Sequence, residues 1–588
     1  MVNPPPPGRL GRTFHDTLSG YLRGLSPHSR RFWLLVPLTG AIAGLAAVGS
    51  VHYLQLIQRL GWGEPDDLLR GARAASWLRR LTVPAIGGVV LVAIELLLHA
   101  QPQGHGTSHL IEAIWVRQGK VRLRSAIAHG LLCLTVVGLG ASLGREGALV
   151  YFGAATGSWL GRRFGIEGDQ LKLLVACGAS AGIAAAYNTP IGGALFALEV
   201  FLGGLALDLY GPLIFASVTA TLISRALLFD HPSYVIPHYR LEHASELLLY
   251  LVLGVIIGGL SAVLVTTVEV STKWVAALPR RLKRFLPIPA LVLVGAVGIF
   301  YPEVFGNGYF TVNQALAGGL ALQLLLILPL LKLLCSTLCA SAGVPGALFT
   351  PSLYIGGLAG GAFGVAAHHL FPNVVGSTGG YVLVGMGAIL AGSTHATLAA
   401  ALLLFELTGS YDLILPLLAA SVVATAVSRS ITPESIYTAP LKRRGVELPR
   451  IARPAWMQRE GVRSLVRDDA PRVPLDASLE TVLLKLAQLG DGDELYAIDA
   501  AGGLRGAISL EAVRQVLAEQ PELRLIVAAD LLHATPAVSV DASLWDVTRR
   551  ALASGTGHLP VLSPREGNRF VGTISIREIL AAAAKPGA

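Results

Sequence analysis

The sequence contains few charged residues. Asp, Glu, Lys and Arg make up 14% of its 588 residues, whereas soluble globular proteins carry about 25%. The deficit is uneven, because residues 34–428 form a succession of apolar segments and residues 449–588 have an ordinary soluble composition. A single soluble domain is therefore excluded. We expect a cytoplasmic N-terminal segment over residues 1–32, a membrane domain over 33–448 and a cytoplasmic domain over 449–588.

Cysteine is also scarce, which excludes a disulfide framework. The four cysteines all lie within apolar segments: Cys133, Cys177, Cys335 and Cys339. The N-terminus lacks the pattern of a short cleavable signal peptide, because a proline-rich, basic stretch of roughly thirty residues precedes the first apolar segment. We therefore expect structural cysteines and no cleaved signal.

Basic residues outnumber acidic ones, and the net charge is +9. They do not form the face or aromatic-interleaved stripe that binds nucleic acid. They cluster just before the first apolar segment and just after the last one: Arg9, Arg12, Arg23, Arg30, Arg31, Lys442, Arg443 and Arg444. Positively charged flanks stay on the cytoplasmic side of a membrane. We therefore expect a multi-pass protein of the cell (inner) membrane with both termini in the cytoplasm.

Some apolar segments reach the length of about 20 residues that a simple spanning helix needs, among them 34–57 and 247–269. Others are short or interrupted by glycine and proline: 148–160, 171–187, 190–203, 348–365 and 397–407. Interrupted helices are tolerated at membrane depth where their backbone lines a cavity or is buried. Their recurrence in both halves of a chain indicates a transporter binding site. Helix N-termini carry unpaired N–H groups and partial positive charge, so such a site suits an anion.

Three short motifs lie between apolar segments or at their starts. They are Gly104–Ser108 (GHGTS), Gly144–Ala148 (GREGA) and Ala347–Pro351 (ALFTP). In order and spacing they resemble the GSGIP, GK/REGP and GxFxP signatures of the CLC family of chloride channels and proton/chloride antiporters. The resemblance covers nearly the whole chain, including Ala185–Pro190. It implies an all-α multi-pass membrane domain, built as an inverted repeat of tilted and broken helices, in a homodimer with one anion pathway per subunit.

The resemblance assigns roles to particular residues. Glu146 would be the gating glutamate, whose carboxylate competes with the anion for an external site and leaves that site on protonation. The anion-binding positions would be His105, Gly106, Arg145, Gly147, Leu348, Phe349 and Tyr437. Backbone amides would line most of the path, and the Tyr437 hydroxyl would donate to the central anion. Two plainer roles stay open: a structural ion pair between Glu146 and Arg145, and an interfacial anchor at Tyr437.

Departures from the family pattern bear on mechanism. His105 replaces a serine that touches the central anion in many members, so its ring either donates to the anion or points away. Val200 falls where antiporters carry a second, proton-transferring carboxylate, and valine binds no proton. Glu199 points about 100° away on a helix and suits a structural role. The sequence therefore favours passive channel conduction, with a proton/chloride antiporter that uses another proton route as the alternative.

The region after residue 449 contains an internal repeat, in which Asp476–Leu479 recurs as Asp541–Leu544. Each copy continues with a helical stretch, a short β run, a glycine-containing turn, a second β run and a helix. This order resembles a tandem pair of CBS domains, an α/β module often found behind CLC membrane domains. The two copies span about residues 462–519 and 527–585.

CBS pairs commonly bind adenine nucleotides through a G-x-x-[ST]-x-x-D signature. The first copy carries Ala512 at the aspartate position, whereas the second carries Glu578, which could accept ribose hydroxyls, with Ser575 nearby. We therefore expect an adenine nucleotide in one cleft at most. A dimerisation and docking module without a ligand stays open.

Other classes of protein fit the sequence less well. Gly178–Gly182 has the GxSxG pattern of a nucleophile elbow, but no strand precedes it, so no enzyme is expected. His105 and His109 could chelate a metal on a helix, but no cysteine lies nearby and the flanking glycines favour a loop. We therefore expect no metal and no required cofactor. A CBS-regulated cation transporter is a distant alternative, because the apolar segments hold few acids. The leading prediction is a gated channel for chloride-like anions.

Overall fold

The computed structural model describes residues 27–97, 106–204, 209–228, 234, 237, 239, 243–409, 411–446, 462–489, 494–519, 526–554, 557–564, 569–575 and 577–579. Contacts along the chain divide it into two compact units, Met1–Arg450 and Ile451–Ala588. The division falls where the composition changes from apolar to ordinary, so each unit corresponds to one kind of sequence.

The first unit is built from α-helices. They are α1 (Pro27–Trp62), α2 (Leu68–Ala74), α3 (Trp77–Leu97), α4 (Gly106–Trp115), α5 (Leu123–Gly138), α6 (Glu146–Arg163), α7 (Gly168–Tyr187), α8 (Pro190–Phe196), α9 (Tyr210–Leu228), α10 (Glu246–Ala277), α11 (Arg280–Phe285), α12 (Pro287–Phe300), α13 (Tyr309–Leu316), α14 (Leu322–Ser341), α15 (Phe349–Leu370), α16 (Thr378–Thr394), α17 (Thr397–Thr408), α18 (Ile414–Ile431) and α19 (Ala439–Arg443). A π-helical turn over Ala197–Phe201 continues α8.

Among the described residues, seven helices are long and apolar enough to cross a membrane. They are Arg30–Trp62 within α1, α3, α7, α9, α10, α14 and the segment Tyr411–Ile431 that contains α18. Large apolar side chains stand on the surface of this unit: Leu60 is 70% exposed, Trp274 76% and Phe300 79%. Extended apolar surface of this kind is costly in water and suits the hydrocarbon of a bilayer. The first unit is therefore a multi-pass membrane domain.

The two halves of the membrane domain repeat the same helix contacts. Small residues face each other at matching crossings: Gly40 with Ala216 and Gly44 with Ala220 between α1 and α9, and Gly254 with Ala420 and Gly258 with Ala424 between α10 and α18. A Cβ on Gly44 would lie 2.8 Å from the carbonyl oxygen of Ala220, and one on Gly258 would lie 2.8 Å from that of Ala424. These contacts are closer than a side chain permits, so both crossings depend on small residues.

Two helices that are buried along most of their length, α7 and α16, occupy matching places in the two halves. Each ends in a left-handed residue, Asn188 with φ 63° and His395 with φ 60°. Left-handed backbone is uncommon outside glycine and stops a helix. The chain then restarts as the short helices α8 and α17. The predicted segments 171–187, 190–203 and 397–407 therefore belong to pairs of helices joined by sharp breaks, whereas 148–160 and 348–365 correspond to the unbroken helices α6 and α15.

The second unit contains two sheets of the same topology. Its elements are β1 (Arg472–Pro474), α20 (Leu479–Leu486), β2 (Leu495–Ile498), β3 (Leu504–Ile508), α21 (Leu510–Glu519), β4 (Val538–Ser539), α22 (Leu544–Ser554), β5 (His558–Ser563) and β6 (Arg569–Ser575). In each sheet the first strand pairs parallel with the second, which pairs antiparallel with the third. Tyr496 of β2 packs on Phe570 of β6, with ring centroids 5.4 Å apart. The predicted fold class, a helical membrane domain followed by an α/β module, is confirmed.

Candidate functional site

Two helix N-termini meet in the interior of the membrane domain. The loops before α6 and α15 form a short antiparallel bridge, in which the Gly144 N–H donates to the Ala347 carbonyl at 2.8 Å and the Ala347 N–H donates to the Gly144 carbonyl at 2.9 Å. Glu146 begins α6 two residues later, and Phe349 begins α15 two residues later. The bridge therefore brings together two sets of N–H groups that have no partner within their own helices.

The carboxylate of Glu146 lies at this meeting point. Glu146 is 2% exposed, and its Oε1 accepts a hydrogen bond from the Tyr309 hydroxyl at 2.8 Å. Its Oε2 is buried and has no hydrogen-bond partner among the described residues. The carboxylate folds back over Gly144, where a Cβ would overlap Oε2. A buried carboxylate with one oxygen unpaired is costly, and the partial positive charge of the neighbouring helix N-termini offsets part of that cost.

Arg145 does not form the structural ion pair with Glu146 that the sequence left open. Its guanidinium lies over the ring of Tyr309, 5.6 Å from the centroid, and its Nε is buried without a partner in the described part of the chain. Arg145 also lines a cavity of about 350 Å³ together with Tyr309. The Arg145 guanidinium therefore lies beside this cavity and is not neutralised by Glu146.

The predicted residues Phe349 and Tyr437 lie in an aromatic cluster beside the bridge. The Phe349 ring is 5.1 Å from that of Tyr187 and 5.4 Å from that of Phe196, and Phe196 is 6.2 Å from Tyr437. The Tyr187 hydroxyl and the Thr350 hydroxyl are 2.8 Å apart. These rings form one wall around the start of α15, so they shape the space next to its N–H groups.

The start of α4 joins the same region. Ser108 donates a hydrogen bond to the backbone carbonyl of Tyr437 at 2.9 Å, which holds the first motif against the segment before α19. A Cβ on Gly106 would lie 3.9 Å from the carbonyl oxygen of Gly147. Leu348 precedes α15 directly and is 6% exposed. The structure therefore brings together Gly106, Arg145, Glu146, Gly147, Leu348, Phe349 and Tyr437. His105 lies outside the described residues.

Val200 and Glu199 lie in the π-helical turn after α8. The Glu199 carboxylate accepts a hydrogen bond from the Ala399 N–H, 2.9 Å away, at the start of α17. In return, Glu406 of α17 accepts hydrogen bonds from the N–H groups of Ile191 and Gly192 at the start of α8, at 3.0 and 2.6 Å. The two broken helices thus cap each other, which is a structural use of Glu199.

Two neighbours of the Glu146 site, Tyr309 and Lys332, were not predicted. Tyr309 has no motif of its own, and the sequence signal that could have indicated it is the glycine-rich turn Gly306–Gly308 before α13. Lys332 is fully buried in α14. Its ammonium donates to the carbonyls of Val304 and Gly306 at 3.0 and 2.6 Å. A lone lysine in an apolar segment is a sequence signal for such a role.

In the second unit, Ser575 and Glu578 hydrogen bond to each other. The Ser575 N–H donates to the Glu578 carboxylate at 3.1 Å, and the Glu578 N–H donates to the Ser575 hydroxyl at 3.2 Å. This is a capping box at a helix start. The Arg467 guanidinium lies 3.6 Å from the Glu578 carboxylate. It donates hydrogen bonds to the Asp469 carboxylate, which raise the pKa of Arg467.

The remaining sequence signals have structural explanations. Ser180 of the GxSxG pattern lies in the middle of α7 and pairs with the Ser217 hydroxyl, so it is not on a strand-to-helix turn. His109 lies near Glu112, 3.8 Å away, and Arg444, 3.4 Å away. In the part of the chain that the structure describes, no group of three or more His, Cys, Asp or Glu could hold a metal ion.

Broken membrane helices whose N-termini meet around a buried carboxylate define a membrane transport protein. The chain belongs to the voltage-gated chloride channel family, which it matches over residues 86–429. A CBS domain is matched over residues 528–585. The family and the CBS module predicted from the motifs are therefore confirmed.

The chain is 34% identical over 419 residues to a putative chloride channel protein ClcB-like of Ralstonia nicotianae, covering 70% of this chain and 97% of that protein. It is 33% identical over 411 residues to the voltage-gated ClC-type chloride channel ClcB of Escherichia coli, covering 69% of this chain and 97% of that protein.

Among solved structures, a slow cyanobacterial Cl-/H+ antiporter matches with a TM-score of 0.64, 23% identity and coverage of 72% of this chain and 99% of that chain. A eukaryotic CLC transporter matches with a TM-score of 0.61 and 19% identity, and the match covers 93% of this chain and 98% of that chain. These two structures support the fold.

Proposed function

We propose that this protein conducts chloride-like anions along a path that passes the N-termini of α6 and α15 and is gated by Glu146. The observation that carries the proposal is the position of the Glu146 carboxylate, buried where these N-termini meet. Relatives described as chloride channels support chloride as the ion. Unpaired N–H groups and the partial positive charge of helix starts favour a negative group, whether a carboxylate or an anion.

The gate works by competition. A carboxylate and a halide are stabilised by the same N–H donors, so one replaces the other. Protonation removes the negative charge of Glu146 and weakens its hold on the site, and the anion then takes its place. We therefore expect anion flux to rise as the pH falls. Arg145, whose guanidinium lies over Tyr309 rather than on Glu146, attracts the incoming anion.

Further along the path, anion contacts come from backbone amides and one hydroxyl. The amides are those of Gly147, Leu348 and Phe349, with Gly106 at the start of α4; the family resemblance adds His105. The Tyr437 hydroxyl makes no hydrogen bond within the described residues, while its backbone carbonyl is held by Ser108. A hydroxyl without a protein partner beside the rings of Phe196 and Phe349 is suited to donate to an anion.

Passive conduction is favoured over proton-coupled exchange. Val200 offers no group that binds a proton, and the neighbouring Glu199 is engaged with the start of α17. A proton/chloride antiporter that uses another proton route is the second candidate. The cation-transporter alternative is weakened, because both Glu199 and Glu406 accept hydrogen bonds from helix N–H groups rather than facing a cation.

We further propose a homodimer in the cell (inner) membrane, as the family resemblance implies, and cytoplasmic termini, because basic residues flank the membrane domain. An adenine nucleotide in the second CBS repeat would share the Glu578 carboxylate with the capping box to Ser575 and with Arg467. This favours the alternative in which the CBS pair acts as a docking module without a ligand.

The test is anion flux in liposomes that contain the purified full-length protein, with proton movement recorded at the same time. We expect chloride to run down its gradient without uphill proton movement. Glu146→Ala should raise flux at neutral pH and remove the rise in flux on acidification. Glu269→Ala is the control, since its carboxylate pairs with Lys273 on the surface of α10.

Uphill proton pumping driven by a chloride gradient, abolished in Glu146→Gln, would establish the antiporter instead. A protein whose flux and pH response are the same with and without the Glu146 carboxylate would contradict the gate. Absence of chloride flux from folded, dimeric protein would contradict anion conduction altogether.

A further inference from the structure

The Glu146 carboxylate is held unevenly. One oxygen, Oε1, accepts the Tyr309 hydroxyl at 2.8 Å, and the other, Oε2, has no partner in the described chain. Among the described residues, the hydroxyl of Tyr309 is therefore the one side-chain group that forms a hydrogen bond with the carboxylate in this position. If Glu146 adopted another rotamer, this bond would be lost.

Tyr309 is placed by a backbone turn that only glycine fits. Gly308, directly before α13, has φ 83°, and a Cβ there would overlap the ring of Tyr354. Both the left-handed backbone and the ring contact exclude other residues. The first residue of α13 is thus fixed in position relative to α15, which carries Tyr354.

Lys332 stabilises the loop before Tyr309 through hydrogen bonds. Its ammonium binds the carbonyls of Val304 and Gly306 and lies 5.1 Å from the centroid of the Tyr354 ring. A buried charge needs such partners, and it holds them firmly because each bond is charge-assisted. Lys332, Tyr354 and the loop therefore form one support for α13.

Two side chains pack directly against the Tyr309 ring. The ring of Tyr234 meets it edge to face with centroids 5.0 Å apart, and the Arg145 guanidinium lies 5.6 Å from its centroid. With the ring confined in this way, the direction of its hydroxyl toward Glu146 is set by the fold. The hydrogen bond forms at little further cost in conformational freedom.

We propose that Tyr309 is a positioning residue that latches Glu146 in the closed position. The proposal rests on the function of Glu146 as the gate. The latch bond exists while the carboxylate lies over Gly144 and is lost when the side chain leaves. Hydrogen bonds to charged groups stabilise by enough to change an equilibrium about tenfold. Tyr309 thereby sets the fraction of closed gates.

The test compares full-length wild type, Tyr309→Phe, Glu146→Ala and the double variant in liposomes. We expect Tyr309→Phe to raise the open fraction at neutral pH, and with it chloride flux, by up to about tenfold. The pH of half-maximal acid activation should move higher by about one unit, since one unit corresponds to tenfold. Tyr53→Phe, which removes a hydroxyl bonded to Thr135, is the control and should behave as wild type.

The pH readout separates a latch from a general loosening of the fold. The titratable and charged groups around the carboxylate are Arg145, Cys133, Tyr187, Tyr234, Tyr309, Lys332 and Tyr437. Phenols and thiols are neutral in the acid range, but the Lys332 amine and the imidazole of His129, which lies beside Gly106, can also change charge. The part of the acid activation that Glu146→Ala removes is therefore the part that reports on Glu146 itself. Tyr309→Leu, which also lacks the hydroxyl, is a second variant with the same expected shift.

The outcomes separate the latch from the gate. If Glu146→Ala changes flux and Tyr309→Phe changes neither flux nor the pH midpoint, the latch is wrong and the gate stands. If Tyr309→Phe raises flux equally in the Glu146→Ala background, Tyr309 does not act through Glu146 and the latch is again wrong. If Glu146→Ala changes neither flux nor its pH response, the gate itself fails.

Discussion

At the scale of single residues, the site depends on Gly144 having no side chain. The Glu146 carboxylate occupies the volume that a Cβ of Gly144 would need, and the Thr350 hydroxyl would lie 3.1 Å from that Cβ. The position is open to the carboxylate because the glycine backbone passes directly beneath it. A small side chain at position 144 should therefore displace the Glu146 carboxylate and change gating, with less effect on the stability of the fold.

The first prediction is that Gly144→Ala abolishes the acid activation of chloride flux. The added methyl group overlaps Oε2, so the flexible carboxylate must leave its place and lose the bond from Tyr309. The measurement is flux across a pH series in liposomes. Gly259→Ala, where no atom lies within 4 Å of the added Cβ, is the control. Unchanged acid activation in Gly144→Ala would contradict this account of the closed position.

The second prediction concerns Lys332. Lys332→Met leaves the buried carbonyls of Val304 and Gly306 without their charged donor, which costs about 1–3 kcal/mol for each unsatisfied group. We expect a lower apparent melting temperature in detergent and a partial shift of acid activation toward higher pH, because the support of Tyr309 weakens. Lys273→Met, at a surface pair with Glu269, should change neither quantity.

At the scale of elements, the two broken helices α8 and α17 stabilise each other. Glu199 caps the start of α17, and Glu406 caps the start of α8. Helices of 7 and 12 residues are too short to be stable alone. Each therefore depends on the carboxylate that the other supplies, and the exchange couples the two halves of the membrane domain.

The third prediction is that Glu406→Ala lowers the stability of the protein without changing the pH dependence of flux. Two N–H groups at the start of α8 lose their acceptor, and losing a helix cap costs about 1–2 kcal/mol. Thermal unfolding in detergent measures the first effect, and liposome flux measures the second. A shifted acid activation in Glu406→Ala would mean that these carboxylates take part in gating, and Glu269→Ala serves as the reference substitution.

Much of the element structure follows from the sequence. The predicted segments 171–187 and 397–407 correspond to α7 and α17, because a left-handed residue or proline marks each break. The long segments 34–57 and 247–269 extend at both ends into α1 and α10. Hydropathy alone could not place these ends, since the added residues include charged ones.

The contacts of the site were harder to predict. The motifs brought Glu146, Phe349 and Tyr437 to one place, and the structure places them near each other. The bond between Tyr309 and Glu146 joins residues 163 positions apart. Nothing in the sequence around Tyr309 specifies that partner, because the direction of its hydroxyl depends on packing against Tyr234 and on the loop held by Lys332.

At the scale of the whole molecule, the curated relatives align with only part of this chain. The alignment with the Ralstonia protein covers 97% of that protein and 70% of this chain. The region that matches the chloride channel family, residues 86–429, lies wholly within the membrane domain. Its core is built from its own helices, whereas the second unit has separate cores in its two sheets.

The fourth prediction is that a chain ending at Arg450 folds and retains acid-activated chloride flux. The membrane domain contains all of the described residues that meet around Glu146, and the similar relatives are about as long as this domain. Flux per protein in liposomes, compared with the full-length chain, is the measurement. Glu146→Ala in the shortened chain should have the same effect as in the full chain. Complete loss of flux from well-folded shortened protein would show that the second unit is required for conduction.

The bridge between Gly144 and Ala347 makes the two halves of the membrane domain depend on each other for hydrogen bonding. It exchanges two hydrogen bonds between peptide groups 203 positions distant in the chain. A half produced alone would leave these groups unpaired within the bilayer, where each costs several kcal/mol. Two separately expressed halves would satisfy each other at this one point. Severing the chain between them should therefore be tolerated if both fragments are supplied together, and neither fragment should accumulate by itself.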